Sequence, residues 1–166
     1  GSGPGLSLLK CKRHLESPFI FTSADTILEE SNIFEGLNEN WMGVSHVEVK
    51  ESSKYCLVYD HIDKKGNKYL NKLYFGEGNL AYVGAAGIYN YASFWDSLES
   101  KRFFRFENPT MGNHDEYQVL DGFDGLKKIK LINCVWHDTG NDESYEKARK
   151  KFSQEVVATK TNEAVF

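Results

Sequence analysis

The sequence lacks the features that mark membrane-spanning, disulfide-rich and zinc-dependent proteins. No apolar run approaches the ~18 residues that a membrane-spanning helix needs. The three cysteines, Cys11, Cys56 and Cys134, are widely spaced and odd in number, and they form no CxxC pair or Cys/His spacing suited to zinc. The composition therefore predicts a cytoplasmic protein with reduced thiols, no bound metal and no membrane partner.

An excess of positive charge is also absent, since the formal net charge is -4. This balance argues against a protein that coats nucleic acid non-specifically, because such proteins are basic throughout. A site-specific reader stays possible, because its affinity depends on where the cations lie. Lys and Arg do cluster, in the stretches LLKCKRH, LKKIKL and KARKK.

Recognisable catalytic motifs are missing as well. The glycine-rich stretch LYFGEGNLAYVGAAG has no Lys-Ser/Thr after it and no parallel βαβ unit around it, so neither a P-loop nor a dinucleotide fingerprint is supported. None of the five histidines lies in a nucleophile motif. Asp60, Glu77 and Lys68 form a nuclease-like site only by selection among 24 acidic residues. We expect no catalytic residue and no cofactor.

The length of 166 residues predicts one domain with a real core. The opening GSGPG is interpreted as a cloning scar over residues 1–5, which leaves 6–166 as a single domain.

Hydrophobic periodicity predicts alternating helices and strands. A capped, acidic start predicts a short helix in TSADTILEESNIFEG, and residues 54–75 predict a hairpin around the turn DKKGNK. Helical spacing in AGIYNYASFWDSLES predicts a second helix. The stretches KRFFRFE and EYQVLDGF predict strands, LKKIKLINCVWHD predicts the longest strand, and DESYEKARKKFSQEVVATK predicts a helix capped by Asn141 or Asp142.

This order of elements predicts an α+β fold, with a curved antiparallel sheet or small barrel flanked by two or three helices. Aromatic residues make up 14% of the chain, and several lie beside turns, where they suit the stacking of an extruded base.

A series of short motifs carries a family resemblance. Tyr59-Asp60, the turn Tyr74 to Gly78, Asn90, Phe104 to Phe106, and Tyr117 to Phe123 occur in this order. The pattern resembles the SRA-like, PUA-superfamily domains of modification-dependent restriction endonucleases, over roughly residues 55–125. The resemblance implies a DNA-binding specificity module of a phage-defence system, which reads a modified or specific site, with base flipping as one route. Its partners would be double-stranded DNA and a nuclease or NTPase domain absent from this chain.

The resemblance and the distribution of cations together give a set of expected site residues. Aromatic stacking and base-edge reading are expected from Trp41, Tyr59, Asp60, Tyr89 and Asn90. Contacts with the DNA backbone are expected from Lys12, Arg13, Gly76, Gly78, Lys127 and Lys128.

Three alternatives remain open. A B3-like barrel would read a sequence in the major groove without flipping a base. A mono-ADP-ribosyltransferase would use Glu116 of DEYQVL as its catalytic glutamate. An immunity or adaptor protein would fit the acidic balance of the chain.

Overall fold

The computed structural model of the protein describes residues 3–29, 37–107 and 117–163. Within these ranges the chain forms three α-helices and eight β-strands. The helices are α1 (Pro4–Lys10), α2 (Tyr91–Glu107) and α3 (Asp142–Glu163). The strands are β1 (Phe19–Thr22), β2 (Thr26–Leu28), β3 (Trp41–His46), β4 (Leu57–Ile62), β5 (Lys68–Tyr74), β6 (Leu80–Ile88), β7 (Lys130–Asn133) and β8 (Trp136–Asp138).

Six of these strands form one mixed sheet in the order β1-β6-β3-β7-β5-β4. An additional pairing between β6 and β4 closes five of the strands into a small barrel. The fold class expected from the sequence, an α+β fold with a small barrel flanked by helices, is confirmed. The barrel is mixed rather than antiparallel, because β3 and β7 run parallel.

The central strand β6 contains the second half of the glycine-rich stretch. Its residues are almost all buried, and Ala81, Ala85 and Ala86 are fully covered. A strand that is covered on both faces shows no alternation of polar and apolar residues. For this reason LAYVGAAGI looked like a series of turns in the sequence but is the longest strand of the described residues.

Apolar clusters cover both faces of the sheet. One cluster packs α2 against β1 and β6, with the Phe19 ring stacked on Trp95 at a centroid distance of 5.1 Å. The other cluster contains Trp41, Val83 and Cys134, with Ile20 of β1 packed against it. Strand β1 is therefore apolar on both faces, and among the strands that the structure describes its one neighbour is β6.

The first residues pack against the turn that follows α2. The Gly5 amide donates a hydrogen bond to the Tyr117 carbonyl at 2.9 Å, and Gly5 is buried. A Cβ added at Gly3 would lie 2.3 Å from the same carbonyl oxygen. The interpretation of residues 1–5 as a cloning scar, with one domain over 6–166, stays a prediction.

Three predicted elements are confirmed. The 54–75 hairpin is β4 and β5, joined by a turn in which Gly66 has a φ of 84°. The helix expected around Tyr91 is α2, and the last helix is α3. The Asn141 carboxamide caps α3 by accepting a hydrogen bond from the Ser144 amide at 3.0 Å.

Four predicted elements are wrong where the structure describes them. TSADTIL is not helical, because the β-branched Thr26 and Ile27 pair with β8 instead, while residues 30–36 lie outside the described ranges. KRFFRFE continues α2 rather than forming a strand. The second half of the predicted EYQVLDGF strand lies in a 3-10 helix, Val119–Gly125. The predicted strand LKKIKLINCVWHD divides into β7 and β8, which belong to different sheets. Glu116, the residue expected to be catalytic in a mono-ADP-ribosyltransferase, lies outside the described ranges.

No helix in residues 3–29, 37–107 or 117–163 is long and apolar enough to cross a membrane.

Candidate binding groove

An open groove of about 1260 Å³ lies where the β1–β2 turn, the segment before β4 and the end of β8 meet. One part of its wall is apolar and includes Phe21, Val83 and Leu120. Other lining residues are polar and include Asp25, Asp138 and Asn141. The groove therefore suits a ligand with both an apolar ring and charged or hydroxyl groups.

Two carboxylates meet at Gly140 on the polar side. A Cβ added at Gly140 would lie 3.1 Å from Asp138 Oδ1 and 3.2 Å from Asp25 Oδ2. The two side chains thus flank the same face of this glycine, and the missing side chain leaves the space between them clear. The Gly140 amide also donates a hydrogen bond to Asp138 Oδ1 at 2.9 Å.

The pairing of β2 with β8 brings the two aspartates together. In this antiparallel pair Thr26 lies opposite Asp138, so Asp25 precedes β2 at the point where β8 ends. The Thr139 amide donates to the Asp25 carbonyl at 3.0 Å and extends the pairing by one step. The backbone of both segments is therefore fixed beneath the carboxylates.

An aromatic pair adjoins Asp138. The ring of Tyr55 packs edge-on against Trp136, with centroids 5.1 Å apart and planes at 75°. The Tyr55 hydroxyl donates to Asp138 Oδ2 at 3.4 Å. Burial, together with the negative charge of Asp138, raises the pKa of Tyr55.

The neighbouring Cys56 also lines the groove, as does Cys11 on the other side. Burial raises the pKa of the Cys56 thiol to about 11. Cys56 is therefore a neutral, weakly reactive side chain at neutral pH, whereas Cys11 is exposed.

Glycine at position 84 shapes the groove wall. Its φ is 80°, and a Cβ at this position would lie 2.6 Å from Ser23 Oγ and 2.9 Å from Thr26 Oγ1. The Thr26 hydroxyl donates to the Val83 carbonyl at 2.8 Å, which fixes the start of β2 against β6. This glycine therefore permits close packing of Ser23 and Thr26 beside Asp25.

Two of the residues expected to bind a base serve the packing of the fold. Trp41 is only 4% exposed, and a Cβ at Gly87 would lie 2.1 Å from its Nε1, so neither face of the ring is open to a stacked base. The Asn90 side chain accepts a hydrogen bond from Asn40 Nδ2 at 2.7 Å. Its carbonyl oxygen is thus already engaged by the protein.

The other three expected base-binding residues do not line the groove. Tyr59 and Asp60 lie at a β-bulge in β4, where Tyr59 is 60% exposed and Asp60 pairs with Lys68 at 3.7 Å. Tyr89, at the end of β6, is 45% exposed. The structure therefore does not join these three residues and the carboxylates in one site.

The residues expected to hold a DNA backbone mostly contact other parts of the chain. Lys12 pairs with Glu99 at 2.8 Å, and Lys128 lies over the Tyr69 ring at 4.3 Å from its centroid. Arg13 Nε donates a hydrogen bond to His14 Nε2 at 2.9 Å, and Ser52 Oγ donates one to the Gly76 carbonyl at 3.0 Å. Gly78 packs closely against Tyr74. Lys127 is exposed.

Reasoning from sequence missed Asp25, Asp138 and Tyr55. The signal for the two aspartates was present, since both SADT and HDTG place an aspartate immediately before a threonine beside a short apolar, β-rich run. The helix predicted over TSADTIL obscured the first, and the single strand predicted over LKKIKLINCVWHD obscured the end of the second.

Comparison with known proteins identifies solved structures that share the fold of this chain. No protein-family model and no curated protein sequence matches the chain. A solved structure of UDP-glucose pyrophosphorylase complexed with UDP-glucose superposes with a TM-score of 0.70 at 15% identity and covers 93% of this chain. UTP-bound UGPase from Acinetobacter baumannii gives 0.66 at 15% identity over 92% of this chain. HddC from Yersinia pseudotuberculosis gives 0.55 at 21% identity over 90%.

The chain spans 63%, 57% and 62% of the length of these three structures.

The likeness corrects the function expected from the sequence. The expectation of a DNA-specificity module of a restriction or phage-defence system is wrong, because the similar solved structures reported above are UDP-glucose pyrophosphorylases and HddC and not restriction DNA-binding domains. The resemblance to SRA-like domains itself stays an untested prediction. The comparison establishes the fold of this chain: 93% of its residues superpose on UDP-glucose pyrophosphorylase.

Proposed function

We propose that the groove binds a sugar nucleotide, and that a divalent cation held by Asp25 and Asp138 contacts its phosphates. The observation that carries this proposal is the meeting of the two carboxylates at Gly140 in the groove. The fold adds support, since similar structures were solved with UDP-glucose and with UTP bound.

The donor set fits Mg²⁺ better than a metal that needs a complete protein cage. Mg²⁺ is commonly held by one or two carboxylates, with substrate phosphates and water as its other ligands. The groove offers two carboxylates, and no cluster of three or more His, Cys, Asp or Glu suited to a metal occurs in the described ranges. The bound cation would neutralise phosphate charge.

The remaining groove walls suit the other parts of a sugar nucleotide. Ser23, Gln118 and Asn141 are among the lining residues, and their hydroxyl and amide groups match sugar hydroxyls. Aromatic and aliphatic side chains, including Phe21 and Leu120, line the apolar side and match the face of a base or sugar ring.

Binding is proposed rather than turnover because cations are scarce in the groove. Among the lining residues of the described chain, Lys54 is the one Lys or Arg, and it pairs with Glu51 at 3.0 Å. Transfer of a phosphoryl or nucleotidyl group depends on positive charge placed around the reacting phosphate. Any turnover by this chain is therefore expected to need cations beyond those that these walls supply.

The test is isothermal titration calorimetry with UDP-glucose in MgCl₂ and in excess chelator. We expect binding with Mg²⁺, loss of binding in chelator, and loss of binding in Asp25→Asn and Asp138→Asn. Asp60→Asn is the matched control, because Asp60 lies on the β4–β5 hairpin outside the groove lining, and it should bind like the wild type. Equal affinity with and without Mg²⁺, or no binding at all, would contradict the proposal.

A further inference from the structure

The two aspartates of the groove differ in how firmly the protein holds their carboxylates. Asp138 accepts hydrogen bonds at both oxygens, from the Gly140 amide at Oδ1 and from the Tyr55 hydroxyl at Oδ2. Within the described ranges, the Asp25 carboxylate accepts no hydrogen bond, and Asp25 is exposed. Asp138 is thus the oriented member of the pair, and Asp25 the adaptable one.

The donor to Oδ2 comes from a distant part of the chain. Tyr55 follows a 3-10 turn, Val49–Lys54, and its amide donates to the Ser52 carbonyl at 3.1 Å. It lies 83 positions before Asp138. The Gly140 bond is a local turn contact, whereas the Tyr55 bond ties the segment before β4 to the end of β8.

Strand geometry explains why Tyr55 contacts both Trp136 and Asp138 of β8. Residues two apart in a strand face the same side, so Trp136 and Asp138 present their side chains together. The Tyr55 ring packs edge-on against the first, and its hydroxyl reaches the second. The indole therefore limits the rotation of the ring that carries the donor.

A second polar atom in the same cluster has no partner. Trp136 Nε1 is a buried donor without a hydrogen bond in the described part of the chain, and its residue lines the groove. Buried polar atoms are nearly always hydrogen-bonded in native proteins. This donor and the Tyr55 hydroxyl therefore belong to the same aromatic pair at the groove wall.

We propose that Tyr55 is the positioning residue for Asp138, and that its hydroxyl orients the carboxylate toward a cation in the groove. This inference rests on the proposed function, because it assigns a role to a residue behind the proposed ligand. The Tyr55 hydroxyl is the donor in this contact, and the packing of its ring on Trp136 holds it in place. Oδ2 of Asp138 supplies the matching acceptor.

The first test measures Mn²⁺ affinity directly, by the electron paramagnetic resonance signal of the unbound ion. Tyr55→Phe keeps the ring on Trp136 and removes only the hydroxyl. We expect it to weaken Mn²⁺ binding by about tenfold, the lower end of the effect of losing a hydrogen bond to a metal ligand. Tyr59→Phe, which removes an exposed hydroxyl on β4, is the matched control and should leave the affinity unchanged.

The second test needs no metal. With tyrosine labelled by ¹³C at Cζ, the Tyr55 resonance is assigned by its disappearance in Tyr55→Phe and is then compared between wild type and Asp138→Asn. We expect it to shift in Asp138→Asn while the Tyr59 resonance does not. An unmoved Tyr55 resonance, or an unchanged Mn²⁺ affinity in Tyr55→Phe, overturns the inference. A wild-type protein that binds neither Mn²⁺ nor UDP-glucose in the presence of Mg²⁺ overturns the proposed function instead, whatever the Tyr55 resonance does.

Discussion

The side chain of Asn40 forms hydrogen bonds with the backbone amides of Tyr89 and Asn90 and with the side chain of Asn90. Asn40 Oδ1 accepts both backbone amides at 2.9 Å, and Asn40 Nδ2 donates to Asn90 Oδ1 at 2.7 Å. Asn40 is 5% exposed and lies just before β3, while Asn90 lies just before α2. One buried carboxamide thus joins the start of a barrel strand to the start of the helix that covers the sheet.

Replacing Asn40 with alanine is expected to destabilise the fold. The change leaves two backbone amides without their acceptor, a loss of about 1–3 kcal/mol in the free energy of unfolding. Urea denaturation followed by circular dichroism measures this difference. Asn71→Ala, at an exposed position of β5, is the control, and a similar loss there would show that the effect is not specific to the Asn40 contacts.

A side chain at position 140 is expected to disturb the groove without unfolding the protein. In Gly140→Ala the new Cβ would approach both carboxylates at just over 3 Å, so the carboxylates would have to move apart. We expect weaker Mn²⁺ and UDP-glucose binding and an almost unchanged melting temperature, because Gly140 is exposed. Unchanged binding would show that the space between Asp25 and Asp138 is not used.

The two groove thiols are expected to react with iodoacetamide at very different rates. Cys56 has its pKa raised to about 11, so at pH 8 about one molecule in a thousand carries the reactive thiolate at this position. Cys11 is exposed and should be modified first, as measured by mass spectrometry of the digested protein. Faster labelling of Cys56 than of Cys11 would contradict the environment described for it.

Stability is expected to depend on pH through Glu29, which links β2 to α3. Lys151 donates to Glu29 Oε1, and His137 Nε2 lies 2.5 Å from the same oxygen. These contacts lower the pKa of Glu29 below its ordinary value of 4.5. A carboxyl whose pKa is lower in the folded state stabilises that state above its unfolded pKa, and the contribution is lost as the pH falls through the folded value.

Glu29→Gln should therefore lower the melting temperature at pH 7, and the difference from wild type should shrink progressively below pH 4.5. Glu16→Gln, at an exposed position, is the control. A difference between wild type and Glu29→Gln that stays constant down to strongly acidic pH would assign the effect to packing rather than charge.

Local signals account for the parts of the fold that the sequence predicted correctly. Asn141 caps α3 through contacts within one helical turn, and Gly66 meets the backbone demand of a short hairpin turn. Such features depend on residues that are close together in the sequence, so they can be predicted from a short stretch of it. The prediction of a curved sheet or small barrel with flanking helices followed from the alternation of these elements.

The missed features depend on contacts between distant residues. Thr26 and Ile27 follow a capped, acidic pattern typical of a helix, but pairing with β8 makes them a strand. That same pairing creates the Asp25–Asp138 site, so the error in one element concealed the site. The function expected from short aromatic and glycine motifs was wrong, as the comparison of folds showed. Such motifs also do not reveal that Trp41 is buried and that the Asn90 side chain is hydrogen-bonded to Asn40, because both contacts join distant residues.

The exposed edge of β1 has a consequence for the solution behaviour of this chain. The Ser23 amide donates to the Gly84 carbonyl at 2.7 Å, so by antiparallel alternation Phe19 and Phe21 direct their backbone groups to β6, and Ile20 and Thr22 direct theirs away from it. Edge strands in natural proteins usually carry charges, bulges or prolines that discourage further pairing, and the sequence FIFT has none of these. Among the described strands the outer side of β1 has no partner, so we expect that another extended segment can add to it, and protein concentration becomes a variable that every binding measurement on this chain has to control.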